Sequence, residues 1–143
     1  MTHLFTYGSL MFDPVWRSIV SRHYHFEPAS LAGFERFAVK GEDYPVVKPA
    51  GEDALVEGVV YFDLIGRDLI ALDKFEGIYY QRSKVTLNTT TNMPGDPLSA
   101  EVYLLRPRFY SLASAKPWNK DHFQKQGLGR FLRKYKGFHC PQH

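Results

Sequence analysis

The chain carries one cysteine, Cys140, in 143 residues, so no disulfide forms within it. A lone thiol fits a reducing compartment, and the expected setting is cytoplasmic. Long apolar runs are missing. No window approaches the ~18 uninterrupted apolar residues of a membrane-spanning helix, so no membrane span is expected. Residues 1–20 are broken by His3, Ser9, Asp13 and Arg17, which predicts no secretory signal core. Asn88-Thr89-Thr90 matches a glycosylation acceptor, which means little without export. Phosphate loops, dinucleotide fingerprints and internal repeats are absent. His23 and His25 fall short of a zinc set, and His139, Cys140 and His143 crowd at the end of the chain, where chains fray. No metal and no cofactor is expected.

What is present is a real core. Apolar residues make up 44% and aromatics 15%, which excludes a largely disordered chain and fits one domain over residues 1–143. The charge is uneven. Eighteen Lys and Arg face 15 Asp and Glu, but seven of the basic residues and only Asp121 among the acids lie between Lys116 and Lys136. The rest of the chain is net acidic. The basicity therefore belongs to a C-terminal segment from about residue 116, expected to be helical to about Tyr135. Its Lys and Arg spread around that helix with few aromatics, so it is expected to be a solvated face with no specific nucleic-acid site.

The periodicity predicts many short strands and few helices. His3 to Tyr7 is a strand ending in a turn at Gly8-Ser9, and Asp13-Pro14 starts a short helix to Val20. Strands are expected at His23–Glu27, at Ala29–Val39 with an interruption at Gly33, at Val46–Lys48 and over Ala54–Leu64. Ile65, Leu69 and Leu72 then stand at helical spacing, so Gly66 to Phe75 is a helix stopped by Gly77. Arg82–Leu87 and Ser99–Leu105 pair as a hairpin around the polar loop 88–97. The whole predicts an α+β barrel or curled sheet.

Two features can carry chemistry. On a helical wheel Glu76 falls within the stripe of Ile65, Leu69 and Leu72, with Asp73 at one edge and Arg67, Asp68 and Lys74 pointing away. A carboxylate in place of a buried Leu pairs or has its pKa raised, which makes a candidate general base or acid. The alternative is a helix-end Glu that reaches solvent or is neutralised by Arg82. Tyr7-Gly8-Ser9-Leu10 joins a strand to a helix, where free N–H groups can hold a carboxylate or an oxyanion. As a lone Gly turn it can equally be a plain turn. Ser9 lacks the nucleophile-elbow pattern.

Four stretches taken in order resemble the gamma-glutamylcyclotransferase-like family. They are Phe5-Thr6-Tyr7-Gly8-Ser9-Leu10, Tyr44-Pro45-Val46-Val47 with Val56-Glu57-Gly58-Val59-Val60-Tyr61, Leu72-Asp73-Lys74-Phe75-Glu76-Gly77, and Tyr80-Gln81-Arg82. The resemblance covers about residues 4–105 and fades after Arg106. It implies a small mixed β-barrel with flanking helices and an enzyme that cyclises a gamma-glutamyl group to 5-oxoproline with release of an amine. It further implies that Glu76 moves the proton and that Tyr7, Gly8, Ser9 and Leu10 hold the glutamyl part. Tyr80 lines the pocket or orients Glu76; Arg82 binds a substrate carboxylate or makes a structural ion pair. The implied partner is a small gamma-glutamyl amine, amino acid or peptide, with neither cofactor nor enzyme nucleophile. The other reading is a binding or regulatory module that keeps the pocket without turnover.

Overall fold

The computed structural model describes residues 2–40, 42–89 and 97–135. Five strands close into a mixed barrel in the order β1 (Thr2–Thr6), β5 (Leu55–Leu64), β2 (Phe26–Ala32), β6 (Tyr80–Thr89), β7 (Leu98–Leu105). Neighbours run antiparallel except β7 and β1, whose parallel pairing of Leu4 with Glu101 and Phe5 with Val102 closes the ring. Closure leaves no barrel strand with an unpaired edge. The remaining strands, β3 (Phe34–Val39), β4 (Pro45–Pro49) and β8 (Ala113–Pro117), form a second sheet with β3 in the middle.

The period-two pattern of the barrel strands feeds two apolar clusters. Phe5, Leu31, Val56, Val60, Leu87 and Val102 meet in one. Leu4, Tyr61, Leu64, Tyr103 and Leu105 meet in the other. That second cluster also takes in the helices: α1 (Asp13–Ile19) through Val15 and Trp16, and α2 (Gly66–Glu76) through Leu69 and Leu72. The 82–105 hairpin is present, with Arg82 opposite Tyr103 and Leu87 opposite Leu98.

Several expectations need correction. The strand expected at His23–Glu27 begins at Phe26, and the region Ala29–Val39 is two strands in two different sheets. Gly33 between them has φ +84°, a left-handed turn that redirects the chain. Strand β8 has no local signature; it forms because β3 supplies its partner. Asp68 does not point away from the protein. It is buried, and it accepts hydrogen bonds from the Ser21 N–H and Oγ (both 3.0 Å) and from the Tyr24 hydroxyl (2.6 Å). This ties the chain after α1 to the first turn of α2.

The basic segment is more than a solvated face. Asn119 caps it, its Oδ1 accepting from the His122 N–H at 2.8 Å. The helix runs as α3 (Lys120–His122), widens to a π turn over Phe123–Gly127 and continues as α4 (Leu128–Tyr135). Lys125, Arg130 and Arg133 stay exposed. Phe123 and Phe131 are buried in the core, with ring centroids 5.8 Å apart. Among the described residues no helix is long and apolar enough to cross a membrane.

Candidate functional site

The turn after β1 is shaped by its neighbours. Thr6 Oγ1 donates to the Val59 carbonyl at 2.9 Å, which keeps the end of β1 on β5. The Tyr7 hydroxyl donates to the Tyr103 carbonyl at 2.5 Å, and the Tyr7 carbonyl accepts from Arg36 Nη1 at 2.7 Å. Burial, followed by the charge of Glu76, pushes the Tyr7 phenol well above its ordinary value, so it stays protonated. Gly8 is required by space: a Cβ there would lie 2.6 Å from Pro45 Cγ. A 3-10 turn, Ser9–Met11, follows, its first hydrogen bonds running from Met11 N–H to Gly8 C=O (3.0 Å) and from Phe12 N–H to Ser9 C=O (3.1 Å). The N–H groups of Ser9 and Leu10 precede them and take no part in the turn's bonding.

Glu76 is the last residue of α2. Gly77 ends the helix with φ +79°, its N–H bonded to the Asp73 carbonyl at 3.0 Å. Leu69 and Leu72 bury the same face, as the wheel predicts. Burial, and after it the charge of Asp73, pushes the Glu76 carboxyl up to about 8. Glu76 is half-buried, and among the described residues no hydrogen bond or ion pair engages its carboxyl.

Arg82 does not neutralise it. Arg82 Nε and Nη2 hold Asp73 at 3.0 and 3.2 Å, and Nη1 pairs with Glu101. The Tyr103 hydroxyl donates to Asp73 at 2.6 Å. Asp73 is thus fully engaged, and it acts on Glu76 only through its charge.

Both features open on one cavity of about 170 Å³. Its lining comprises the stretch Phe5–Leu10, the α2 end and loop Phe75–Tyr80, and Tyr44, Pro45, Tyr103 and Phe131. Tyr7, Gly8, Ser9, Leu10, Glu76 and Tyr80 all lie on it. The Tyr80 hydroxyl donates to the Pro45 carbonyl at 3.2 Å. Arg82 is not among the described lining residues; of the two roles expected for it, the ion pairs with Asp73 and Glu101 fit the structural one. Sequence reasoning missed Tyr44, Phe75, Tyr103 and Phe131 as wall residues. Phe131 had a signal, since Leu128, Phe131 and Leu132 form an apolar i, i+3, i+4 stripe within the basic helix. Tyr103 had none, because it reaches the cavity through the barrel register. Among the described residues no three His, Cys, Asp or Glu converge as a metal site; His139, Cys140 and His143 lie outside them.

The strand-turn-helix stretch and the half-buried helix-end Glu thus line the same cavity. The family described as gamma-glutamyl cyclotransferase, AIG2-like, matches residues 4–124. The chain belongs to this family. The match continues past Arg106, where the motifs fade, through β8 and α3 into the π turn. AIG2-like protein D of Arabidopsis thaliana is 33% identical over 128 residues, covering 87% of this chain and 83% of that one. AIG2-like protein C of the same plant is 31% identical over 121 residues, covering 82% of this chain and 69% of its own. Among solved structures, an Arabidopsis thaliana protein determined in solution superimposes with TM-score 0.69 at 26% identity, covering 94% of this chain and 88% of its own. A yeast gamma-glutamyl cyclotransferase specific to glutathione gives TM-score 0.62 over 93% of this chain and 87% of its own. At 15% identity that likeness shows the fold alone.

Proposed function

We propose that the protein is a gamma-glutamyl cyclotransferase-type enzyme, converting a gamma-glutamyl compound to 5-oxoproline and a free amine. The observation that carries this is Glu76. It is a half-buried carboxyl, raised to about 8 and free of partners among the described residues, on the same cavity as the Tyr7–Leu10 turn. Membership of the AIG2-like family supports the reaction class.

The chemistry follows from the substrate. Its α-ammonium is not nucleophilic. Glu76 in its carboxylate form takes one proton, and the resulting α-amine attacks the γ-carbonyl carbon of the same molecule. A five-membered ring closes as the N–C bond forms. The N–H groups of Ser9 and Leu10 hold the glutamyl part against the turn. Glu76 then returns its proton to the leaving nitrogen, and the old C–N bond breaks. The ring nitrogen sheds its second proton as it becomes a lactam N–H. The released amine takes that proton up and departs as an ammonium ion, so no net proton is consumed. A carboxyl near 8 suits both transfers, because its two protonation states are both populated near neutral pH. The enclosing wall holds the chain folded for ring closure, which makes the attack effectively unimolecular.

The test is to incubate pure protein with gamma-glutamyl amides, dipeptides and amines and to quantify 5-oxoproline. Turnover of at least one compound, lost in Glu76→Gln, is the expected result. Tight binding of such compounds without 5-oxoproline would instead make the protein a ligand-binding module.

A further inference from the structure

The proposed reaction leaves one half of the substrate undescribed: the amine that departs. The wall facing Glu76 speaks to it. Tyr44, Phe75 and Phe131 come from three separate elements and converge at the cavity. The Phe131 ring centroid lies 5.9 Å from that of Phe75 and 6.4 Å from that of Tyr44. Beyond them Ile78 and Tyr79 remain 69% and 42% exposed at the rim, an apolar surface at the mouth of the same cavity. Among the described residues that line the cavity, Glu76 is the one charged side chain, and no Lys or Arg is present.

This wall is actively positioned. Arg130 Nη2 and Nε hold the Asp43 carboxylate at 2.8 and 3.3 Å, and the Trp118 Nε1–H donates to the Asp43 carbonyl at 2.8 Å. Asp43 precedes Tyr44 in the chain, so these contacts bind the C-terminal helix to the loop that carries Tyr44. At Gly127 a Cβ would lie 2.9 Å from a Phe123 ring carbon, so Gly there lets the π turn pack Phe123 inward. Four residues on, Phe131 then meets the cavity.

We propose that the leaving group is an apolar aromatic amine without a carboxylate, and that Phe131 is the residue that selects it. The inference rests on the cyclotransferase reading above. Tyr44, Phe75 and Phe131 pack on one another edge to face, and a substrate ring entering beside them extends that packing. A carboxylate on the leaving amine would enter beside the Glu76 carboxylate with no cation among the described lining residues to meet it, and burying an unpaired charge is costly. A peptide or amino-acid leaving group is therefore disfavoured by the same wall that favours a ring.

A matched pair of substrates isolates the claim. Gamma-glutamyl-phenethylamide and gamma-glutamyl-phenylalanine carry the same ring and differ by one carboxylate. The expected kcat/KM for 5-oxoproline release favours the phenethylamide by about 10²-fold. Gamma-glutamyl-methylamide, which has no ring, serves as the reference. In Phe131→Leu the loss on the phenethylamide exceeds the loss on the methylamide by about three- to tenfold, the worth of an aromatic pair. That excess appears in KM. A merely structural role would lower both substrates equally, and a melting curve of the variant separates that outcome. Equal or better turnover of gamma-glutamyl-phenylalanine overturns the inference and leaves the cyclotransferase reading intact. Equal losses on both amides in Phe131→Leu remove the role of Phe131. No 5-oxoproline from any of the three compounds, nor from gamma-glutamyl-cysteinyl-glycine, overturns both the inference and the reading beneath it.

Discussion

Replacing Glu76 with Gln separates the energetic claim from the catalytic one. Folded Glu76 holds its proton up to about pH 8, against an ordinary carboxyl at 4.5. That difference corresponds to about 5 kcal/mol against the charged form in the folded protein. Glu76 is only half-buried, so solvent screening reduces this to about 2–4 kcal/mol. The sign follows from linkage. A carboxyl whose folded pKa is raised contributes its stability below the unfolded pKa and loses it as pH rises through the folded one. Wild-type protein and Glu76→Gln are therefore expected to melt together near pH 4, below the ordinary carboxyl at 4.5, where Glu76 is largely neutral in both states. Between about pH 4 and pH 9 the wild type loses stability relative to Gln, which cannot ionise. By pH 9 the variant should melt roughly 6–12 °C higher, at about 3 °C per kcal/mol for a chain of this size. Circular-dichroism melts of both proteins at half-unit steps of pH measure this directly. A gap between the two curves that stays constant from pH 4 to 9 would refute the reasoning, because it would mean that Glu76 titrates as an ordinary surface carboxyl. Over the same samples, 5-oxoproline release should fall about 10²–10⁴-fold in the variant, the usual loss of a positioned base.

Arg82→Gln removes the cation on Asp73, so the Asp73 charge acts on Glu76 without compensation. The acid limb of kcat/KM, expected near pH 8 in the wild type, should move to higher pH, and a limb that stays in place would break the proposed link between Asp73 and Glu76. Gly8→Ala pushes a methyl group to 2.6 Å from Pro45 and should cost about 1–3 kcal/mol in urea unfolding while raising KM. A variant as stable and active as the parent would show that the turn relaxes freely. Asp68→Ala leaves three donors around an empty site and should cost about 2–4 kcal/mol, yet the folded fraction should keep its turnover, as active-site titration against melting data can check.

The sequence by itself determined the local features. Alternating apolar residues marked the barrel strands, and the Ile65, Leu69, Leu72 spacing placed α2 and put Glu76 on its buried face. Glycines at 8 and 77 marked the two breaks that frame the site. The motif order carried the family. Tertiary structure decided what those features meet. Period and propensity are local, whereas Arg82 sits nine residues from Asp73 and 19 from Glu101; the β6–β7 register sets Arg82 near Glu101, and the packing of α2 on the barrel brings Asp73 to it. Asp68 looked like a surface charge because its partners, Ser21 and Tyr24, are more than 40 residues away. Phe131 lies within the most basic stretch of the chain, where net charge argued for solvent, and it became a cavity wall because Arg130 and Trp118 bind Asp43 in the loop between β3 and β4. Electrostatic environment, likewise, is a property of packing: no window of sequence contains the burial that raises Glu76, since the cavity it lines is also walled by residues 5–10, Tyr103 and Phe131.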